Sequence, residues 1–171
     1  MDRLAEAGYE VAKGVAGVRE SHIRIICVTT PVKDNDFNLS FLESAVEQAA
    51  KGIARKDTYQ LVVVRSTVLP FTVRGKVMPL LERYCPMKLG DEYGVCHNAE
   101  FLRTAHALQD FLNPPIIMIG RDKRSGDMLA ELYAPFPAPC FRTSLENAEA
   151  IKCFSNVYNV CQRTWTQYSL P

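Results

Sequence analysis

The stretch YQLVVVRSTV, Tyr59 to Val68, decides the fold class of this 171-residue chain. Its apolar residues follow one another without the alternation that marks a strand with one solvent-facing side. Parallel strands that are covered by helices on both faces have this uninterrupted pattern. The stretch ends in Arg-Ser-Thr, which places polar side chains at the carboxyl end of the strand, where open α/β sheets bind their ligands.

The sequence on either side alternates between strand and helix patterns. Further short apolar segments predict strands at 22–32, 93–98, 114–120 and 138–144. Apolar residues at three- and four-residue steps predict helices at 38–54, 69–84, 106–111, 125–133 and 145–168. This order predicts an α/β domain with a mainly parallel sheet and helices on both faces.

The composition is that of an ordinary globular protein. The chain is 47% hydrophobic and 23% charged, and its net charge of +1 provides no overall field that would attract nucleic acid or an anionic membrane. The longest apolar runs are much shorter than the roughly 20 residues of a membrane span, and the N-terminus lacks the apolar core of a signal peptide. We therefore expect neither nucleic acid nor a membrane as a partner, and we expect a cytoplasmic location.

The six cysteines form no CxxC pair, and the three histidines show no metal-ligand spacing. This spacing argues against a zinc site and against a disulfide framework. We expect buried, reduced thiols and no metal.

Three strand exits carry polar residues: Thr29-Thr30-Pro31, Arg65-Ser66-Thr67 and Asn98-Ala99-Glu100. Each one alone suits a structural cap, whereas together they suit a ligand-binding edge. Glu100 is either a solvent-facing acid, for instance one that pairs with Arg103, or a general base directed into a cleft.

The last predicted helix carries a polar stripe opposite an apolar face. Glu149, Lys152, Asn156 and Asn159 form the stripe, and Lys152 and Asn156 are one turn apart. They are either solvent-facing residues or a cation and an amide that converge on a developing oxyanion.

Four segments, taken in order, resemble the NAD-dependent nucleotide-sugar 6-dehydrogenases, the UDP-glucose/GDP-mannose dehydrogenase family. They are ICVTTPV, VVVRSTVLPFTV, HNAEFLRTAHALQDFLNPPIIMIG and AEAIKCFSNVYNV. The segment RSTVLP and the region around RDKRSGDMLAELY lean toward the GDP-mannose branch. The resemblance implies a Rossmann-like domain at 1–145 that lacks the glycine-rich first strand and turn. It also implies the start of a central helix and dimerisation domain at 146–171.

The family oxidises the C6 alcohol of a nucleotide sugar to a carboxylate with two NAD, through a thioester on a cysteine. By resemblance, Thr30, Pro31, Ser66 and Thr67 are expected at the cofactor. Thr67 is also expected beside a catalytic water, and Glu100 is expected to activate water for thioester hydrolysis. Lys152 and Asn156 are expected to hold the C6 oxygen.

The sequence also departs from the family pattern. The glycine-rich turn and the Gly-Gly-Ser-Cys nucleophile motif are not in the printed sequence, and Cys153 and Cys161 do not replace the nucleophile. Phe71 stands where the family has glycine, Ala99 where it has proline, and Thr104 and Ala105 where it has glutamate and glycine.

Two hypotheses remain open. One is a truncated or divergent dehydrogenase that binds a nucleotide sugar or NAD and is not competent alone. The other is a non-catalytic binding or assembly protein that keeps the scaffold and pairs with itself or with another protein. If Phe71 and Thr104 fill the former cofactor cleft, the second hypothesis gains.

Overall fold

The computed structural model describes residues 21–34, 36–53, 58–121 and 123–169, without the side chains of Thr104 and of residues 167–169. Residues 1–20 of the expected 1–145 domain lie outside this description. The strands are β1 (Ile23–Ile26), β2 (Val32–Lys33), β3 (Asp36–Phe37), β4 (Gln60–Val64), β5 (Tyr93–His97), β6 (Ile117–Arg121) and β7 (Cys140–Thr143). The helices are α1 (Ser40–Ile53), α2 (Met78–Tyr84), α3 (Ala107–Leu112), α4 (Lys123–Tyr133) and α5 (Leu145–Ser169). A π-helical turn, Val73–Val77, leads into α2, and a 3₁₀ turn, Thr104–His106, leads into α3.

Five strands form one sheet in the order β1-β4-β5-β6-β7. Neighbouring strands run parallel, except that β5 and β6 are antiparallel. Strands β2 and β3 form a separate antiparallel ribbon. The predicted mainly parallel sheet is therefore confirmed, and the carboxyl ends of β1, β4 and β5 lie along one edge of it.

Burial across the sheet follows the position of each strand. Every residue of β4 and β5 is buried, as the uninterrupted apolar pattern predicts. In contrast, β1 alternates between buried and exposed residues, and β7 is largely exposed. Among the described residues, the prediction of strands covered on both faces thus holds for the centre of the sheet and not for β1 and β7, its outermost described strands.

Helix α5 packs on the sheet with its N-terminal part. Its buried residues include Leu145, Ala148, Glu149 and Lys152, while many large apolar residues of the same helix are exposed. These exposed residues are Ile151, Phe154, Val157, Tyr158, Val160 and Trp165. Of the polar stripe, α5 therefore buries Glu149 and Lys152, whereas Asn156 and Asn159 are exposed together with the large apolar residues of the helix.

A glycine lets α5 approach the sheet closely. A Cβ atom built on Gly120 of β6 would lie 2.6 Å from the Cβ of Ala148 and 3.0 Å from the Cα of Leu145. Real Cβ atoms do not approach other atoms this closely, so only glycine permits this helix position. Because Lys152 follows Ala148 by one turn, this contact also sets the height of Lys152 above the sheet.

All six cysteines are free thiols. Cys85 and Cys96 are buried and Cys153 is half-buried, but Cys27, Cys140 and Cys161 are exposed. The expectation of burial is wrong for these three because they lie next to or on the edge strands and on the outward side of α5. None of the helices within the described ranges combines the length and apolar character that a membrane span requires.

Candidate active site

The carboxyl ends of β1 and β4 are tied together by side-chain hydroxyl groups. The hydroxyl of Thr30 donates to the carbonyl of Thr67 at 2.7 Å. The hydroxyl of Ser66 donates to the carbonyl of Val28 at 2.7 Å and accepts from the N–H of Val28 at 3.0 Å. These hydroxyls act as local caps, and by doing so they gather Thr30, Pro31, Ser66 and Thr67 at one place on the sheet edge.

Glu100 and Lys152 form an ion pair with 3.6 Å between Oε1 and Nζ. The side chain of Lys152 is 6% exposed and that of Glu100 is 35% exposed. The other carboxylate oxygen of Glu100 accepts a hydrogen bond from the N–H of Leu102, and the Lys152 Nζ lies 5.2 Å from the centre of the Phe101 ring. The structure thus brings together two predicted site residues that are far apart in the sequence.

Arg103, which the sequence suggested as a partner of Glu100, pairs with Asp110 instead. Its guanidinium donates to both oxygens of Asp110, at 3.0 Å and 2.8 Å, and its backbone N–H donates to Asp110 at 2.9 Å. These contacts with Arg103 lower the pKa of Asp110 to about 2. Asp110 therefore anchors the segment that follows Glu100, and Glu100 remains available to Lys152.

Asn156 lies one turn beyond Lys152 on α5 and is exposed. The solvent-facing interpretation of this pair is therefore wrong for Lys152 and holds for Asn156. The structure brings Lys152 to Glu100, whereas the described contacts do not place Asn156 in this pair.

Glu149 was placed on the polar stripe by the sequence without a role of its own. It is fully buried, and its two carboxylate oxygens accept the backbone N–H groups of Phe71 and Val73, each at 2.7 Å. Burial raises the pKa of the Glu149 carboxyl. The sequence offered one indication of this position: Glu149 lies about one turn before Lys152 on the polar stripe of the helix.

Phe71 has an unusual backbone conformation, with φ at +70°. This left-handed region is costly for residues with a side chain and is favourable for glycine. Phe71 is 66% exposed, so it does not fill a cleft formed by the described residues. The backbone at this position thus has the shape that suits the family's glycine.

A polar network and an apolar pocket flank the Glu100 segment on its other side. Arg65 donates to the side-chain oxygen of Asn98 at 2.6 Å and to the hydroxyl of Tyr133 at 3.0 Å, and Tyr133 donates to the same Asn98 oxygen at 2.7 Å. The pocket beside this network is lined by Glu100, Phe111, Pro114, Ile116 and Phe136, among others. Sequence reasoning placed Arg65 and Asn98 at strand exits but did not find Tyr133, which joins the edge from the far end of α4.

His97 lies beneath the site and is completely buried. Its Nε2 is 3.4 Å from the carbonyl of Ser66, and its Nδ1 has no hydrogen-bond partner among the described residues. Burial lowers the pKa of His97 to about 4. The ring is therefore neutral at pH 7. Within the described ranges, no group of three His, Cys, Asp or Glu side chains is arranged to hold a metal ion.

Comparison with known proteins identifies the family of this chain. Residues 4–137 match the model of the UDP-glucose/GDP-mannose dehydrogenase family, NAD binding domain. The chain is 41% identical over 150 residues to the GDP-mannose 6-dehydrogenase of Pseudomonas aeruginosa, a match that covers 86% of this chain and 34% of that protein. The chain thus spans about a third of the length of the curated relatives it matches.

Solved structures give the same result. A ternary complex of GDP-mannose dehydrogenase from Pseudomonas aeruginosa superposes with a TM-score of 0.86 at 40% identity, over 90% of this chain and 36% of that one. A UDP-glucose dehydrogenase from Pyrobaculum islandicum superposes with a TM-score of 0.84 at 32% identity, over 92% of this chain and 37% of that one. This chain belongs to the UDP-glucose/GDP-mannose dehydrogenase family and matches its NAD-binding domain.

Proposed function

We propose that this chain is part of an NAD-dependent nucleotide-sugar 6-dehydrogenase and that its sheet edge binds the C6 end of the sugar between Glu100 and Lys152. The observation that carries the proposal is the pairing of a buried lysine with a carboxylate at 3.6 Å. This separation is longer than a hydrogen bond, so the ammonium group keeps donors for a substrate oxygen.

The two charged residues suit complementary roles in alcohol oxidation. A cation in a site that excludes water stabilises negative charge on the C6 oxygen, which is the role proposed for Lys152. Asn156, one turn further, is proposed as a second donor to the same oxygen. Glu100 is proposed to position or activate a water molecule. When bound, NAD supplies the hydride acceptor.

The residues present fit one end of NAD. The segments that end β1 and β4 meet through the hydroxyls of Thr30 and Ser66, and these hydroxyls are already hydrogen-bonded within the protein. A cofactor beside Thr30, Pro31, Ser66 and Thr67 would therefore meet mainly backbone groups. The glycine-rich turn that holds a pyrophosphate in such domains is not in the printed sequence.

We do not expect the isolated chain to complete the second oxidation. That step in the family needs a thiolate, and the thiol next to Lys152 in the chain is that of Cys153. Burial raises the pKa of the Cys153 thiol, and its Sγ donates to the carbonyl of Val68 at 3.3 Å. A thiol with a raised pKa and an engaged proton is a poor nucleophile at neutral pH.

GDP-mannose is the substrate that we propose first. The identity of 41% to GDP-mannose 6-dehydrogenases exceeds the 31% to the UDP-glucose 6-dehydrogenase of Haloferax volcanii. We include a cytoplasmic location in the proposal because six free thiols suit a reducing compartment.

Calorimetric titration of the purified chain with NAD, GDP-mannose and UDP-glucose tests the proposal. Lys152→Met keeps the length of the side chain and removes its charge, and Lys123→Met makes the same change on the exposed start of α4. We expect a nucleotide sugar to bind the wild type and the Lys123 variant but to bind the Lys152 variant at least about tenfold more weakly. A folded wild type that binds none of the three ligands would refute the proposed site.

One observation favours a second candidate, an assembly role in which 146–171 serves as a dimerisation element. The outward side of α5 exposes Phe154 at 72%, Val157 at 59% and Trp165 at 76%. Contiguous apolar residues of this size mark protein interfaces. If α5 joins two copies, Phe154→Glu combined with Val157→Glu lowers the mass measured by light scattering, whereas Asn159→Glu does not. A monomeric wild type would exclude this role.

A further inference from the structure

Three side-chain contacts attach α5 to the segment that follows β4. Glu146 pairs with Arg74, Glu149 accepts hydrogen bonds from Phe71 and Val73, and Cys153 donates to the carbonyl of Val68. The three α5 residues are three and four positions apart, so they lie along one side of the helix. The segment they hold begins with Ser66 and Thr67, and the helix itself carries Lys152.

Glu149 makes the strongest of these attachments. It is completely buried, whereas the arginine of the Arg74–Glu146 pair is 57% exposed and the pair is open to screening by salt. One oxygen of Glu149 takes the N–H of Val73, the first residue of the helical turn Val73–Val77, where a carboxylate also meets the positive end of the helix dipole, and the other takes the N–H of Phe71 just before that turn. Hydrogen bonds to a charged acceptor are about twice as strong as neutral ones.

The same contacts hold the backbone of Phe71 in its left-handed conformation. At φ +70° this residue would relax toward the right-handed or extended regions if nothing restrained it. Its N–H is bound by Glu149 at 2.7 Å. Release of that N–H would allow the turn to move, and with it the three residues that connect Phe71 to Thr67.

We infer that Glu149 is a positioning residue: its carboxylate holds the cofactor-side segment, which contains Thr67, at a set place relative to the sugar-side Lys152 on the same helix. The inference rests on the proposed function, because Thr67 and Lys152 have those roles only in a dehydrogenase site. It extends that function by naming the group that keeps the two halves of the site in register.

The test variant is Glu149→Gln, which keeps the size of the side chain. A carboxamide offers one oxygen to the two N–H groups and turns an NH₂ group toward the other, so one of the two bonds is lost. We expect the amides of Phe71 and Val73 to exchange with deuterium about tenfold faster or more, since a hydrogen bond to a buried carboxylate protects its N–H group from exchange.

Ligand titration then separates positioning from general stability. We expect the Glu149→Gln variant to bind NAD about tenfold more weakly and to bind the nucleotide sugar within about threefold of the wild type, because Lys152 stays on an intact helix. Glu146→Gln is the matched control: it removes the neighbouring pair with Arg74 and leaves both affinities and both exchange rates unchanged.

Each remaining outcome decides the question. Equal weakening of both ligands, or unchanged exchange at Phe71 and Val73 in a folded variant, overturns the inference and leaves the proposed function standing. A wild type that binds neither ligand overturns the proposed function and the role of Glu149 with it. If the glutamine variant does not fold, Glu149→Asp takes its place, because the shorter side chain cannot reach both N–H groups.

Discussion

Glu100, in the segment that follows β5, and Lys152, on α5, face each other with 3.6 Å between carboxylate and ammonium. The contact requires that both the segment after β5 and helix α5 be held in place. The N–H of Leu102 holds the carboxylate from one side, and the close approach of α5 at Gly120 brings the lysine to it. The pair is thus a product of the way the long helix sits on the sheet.

We expect Lys152 to contribute to ligand binding and not to the stability of the folded protein. Burial of an ammonium group costs several kcal/mol, and its replacement by an apolar side chain of similar size is often neutral or stabilising. Lys152→Met should therefore keep or raise the free energy of unfolding in urea. Glu100→Gln leaves the lysine buried without its counter-charge and should cost about 1 kcal/mol, a discounted figure because Glu100 is one-third exposed.

The double variant is the control for this pair. Glu100→Gln combined with Lys152→Met should match Lys152→Met alone, since no buried charge then remains unpaired. A loss of more than about 2 kcal/mol in Lys152→Met would show that the ion pair stabilises the fold.

Phe71→Gly should stabilise the protein. The left-handed backbone at φ +70° costs a residue with a side chain about 1 kcal/mol, and glycine adopts it without that cost. Phe71 is 66% exposed, so removal of its ring sacrifices little apolar burial. We expect a gain of about 0.5–1 kcal/mol in the free energy of unfolding.

Phe71→Ala serves as the comparison for the glycine variant. Alanine removes the ring and keeps the backbone cost, so the difference between the two variants isolates the conformation. Equal stability of the glycine and alanine variants would show that the backbone at this position carries no strain.

His97 should make the protein acid-sensitive. Its pKa falls from 6.5 to about 4 because the ring is buried, so the folded state binds fewer protons than the unfolded state between these values. Stability is therefore complete above pH 6.5 and falls as the pH drops toward 4, by up to about 3 kcal/mol at 1.36 kcal/mol per pKa unit. Urea unfolding across this range measures the loss.

His97→Gln should flatten the profile between pH 6.5 and 4, and His22→Gln, at an exposed position, should not. Asp110 acts in a separate window. Its pKa lies at about 2, below the ordinary 3.8, so its contribution is present above pH 3.8 and is lost as the pH falls toward 2. An unchanged slope above pH 4 in His97→Gln would contradict the assignment to His97.

Gly120→Ala should push α5 away from the sheet. The new Cβ would meet the Cβ of Ala148 at 2.6 Å, and overpacking of this kind costs about 1–3 kcal/mol. The added change Ala148→Gly removes that contact and should recover part of the loss, so the two substitutions should be coupled in a double-mutant cycle of unfolding free energies. Simple additivity would mean that the helix is placed by other contacts.

Much of the fold was predictable because it depends on local pattern. The uninterrupted apolar run at Leu61 to Val64 predicted a strand buried on both faces, and this strand lies inside the sheet. The order of polar strand exits predicted that Thr30, Ser66 and Glu100 share one edge, since parallel strands end on the same side. The resemblance to the dehydrogenase family was likewise carried by ordered motifs and is confirmed by the family match.

For the site, the sequence predicted candidate residues but not their contacts. Sequence spacing named Lys152 as a candidate but could not decide whether it is exposed or buried. Helical spacing shows which residues of α5 share a side, but it does not show which side packs against the sheet. The sequence suggested Arg103 as a partner of Glu100, whereas Arg103 binds Asp110. The role of Glu149 depends on two N–H groups more than 70 residues away in the chain.

The sequence by itself determined the alternation of strands and helices, the edge at which the polar residues gather and the family to which the chain belongs. These properties follow from apolar periodicity, chain direction and motif order, which are all local. Tertiary structure alone decided that α5 buries Glu149 and Lys152, that Lys152 pairs with Glu100, and that Phe71 adopts a left-handed backbone. Each of these depends on which surface packs against the residue, and distant segments of the chain supply that surface.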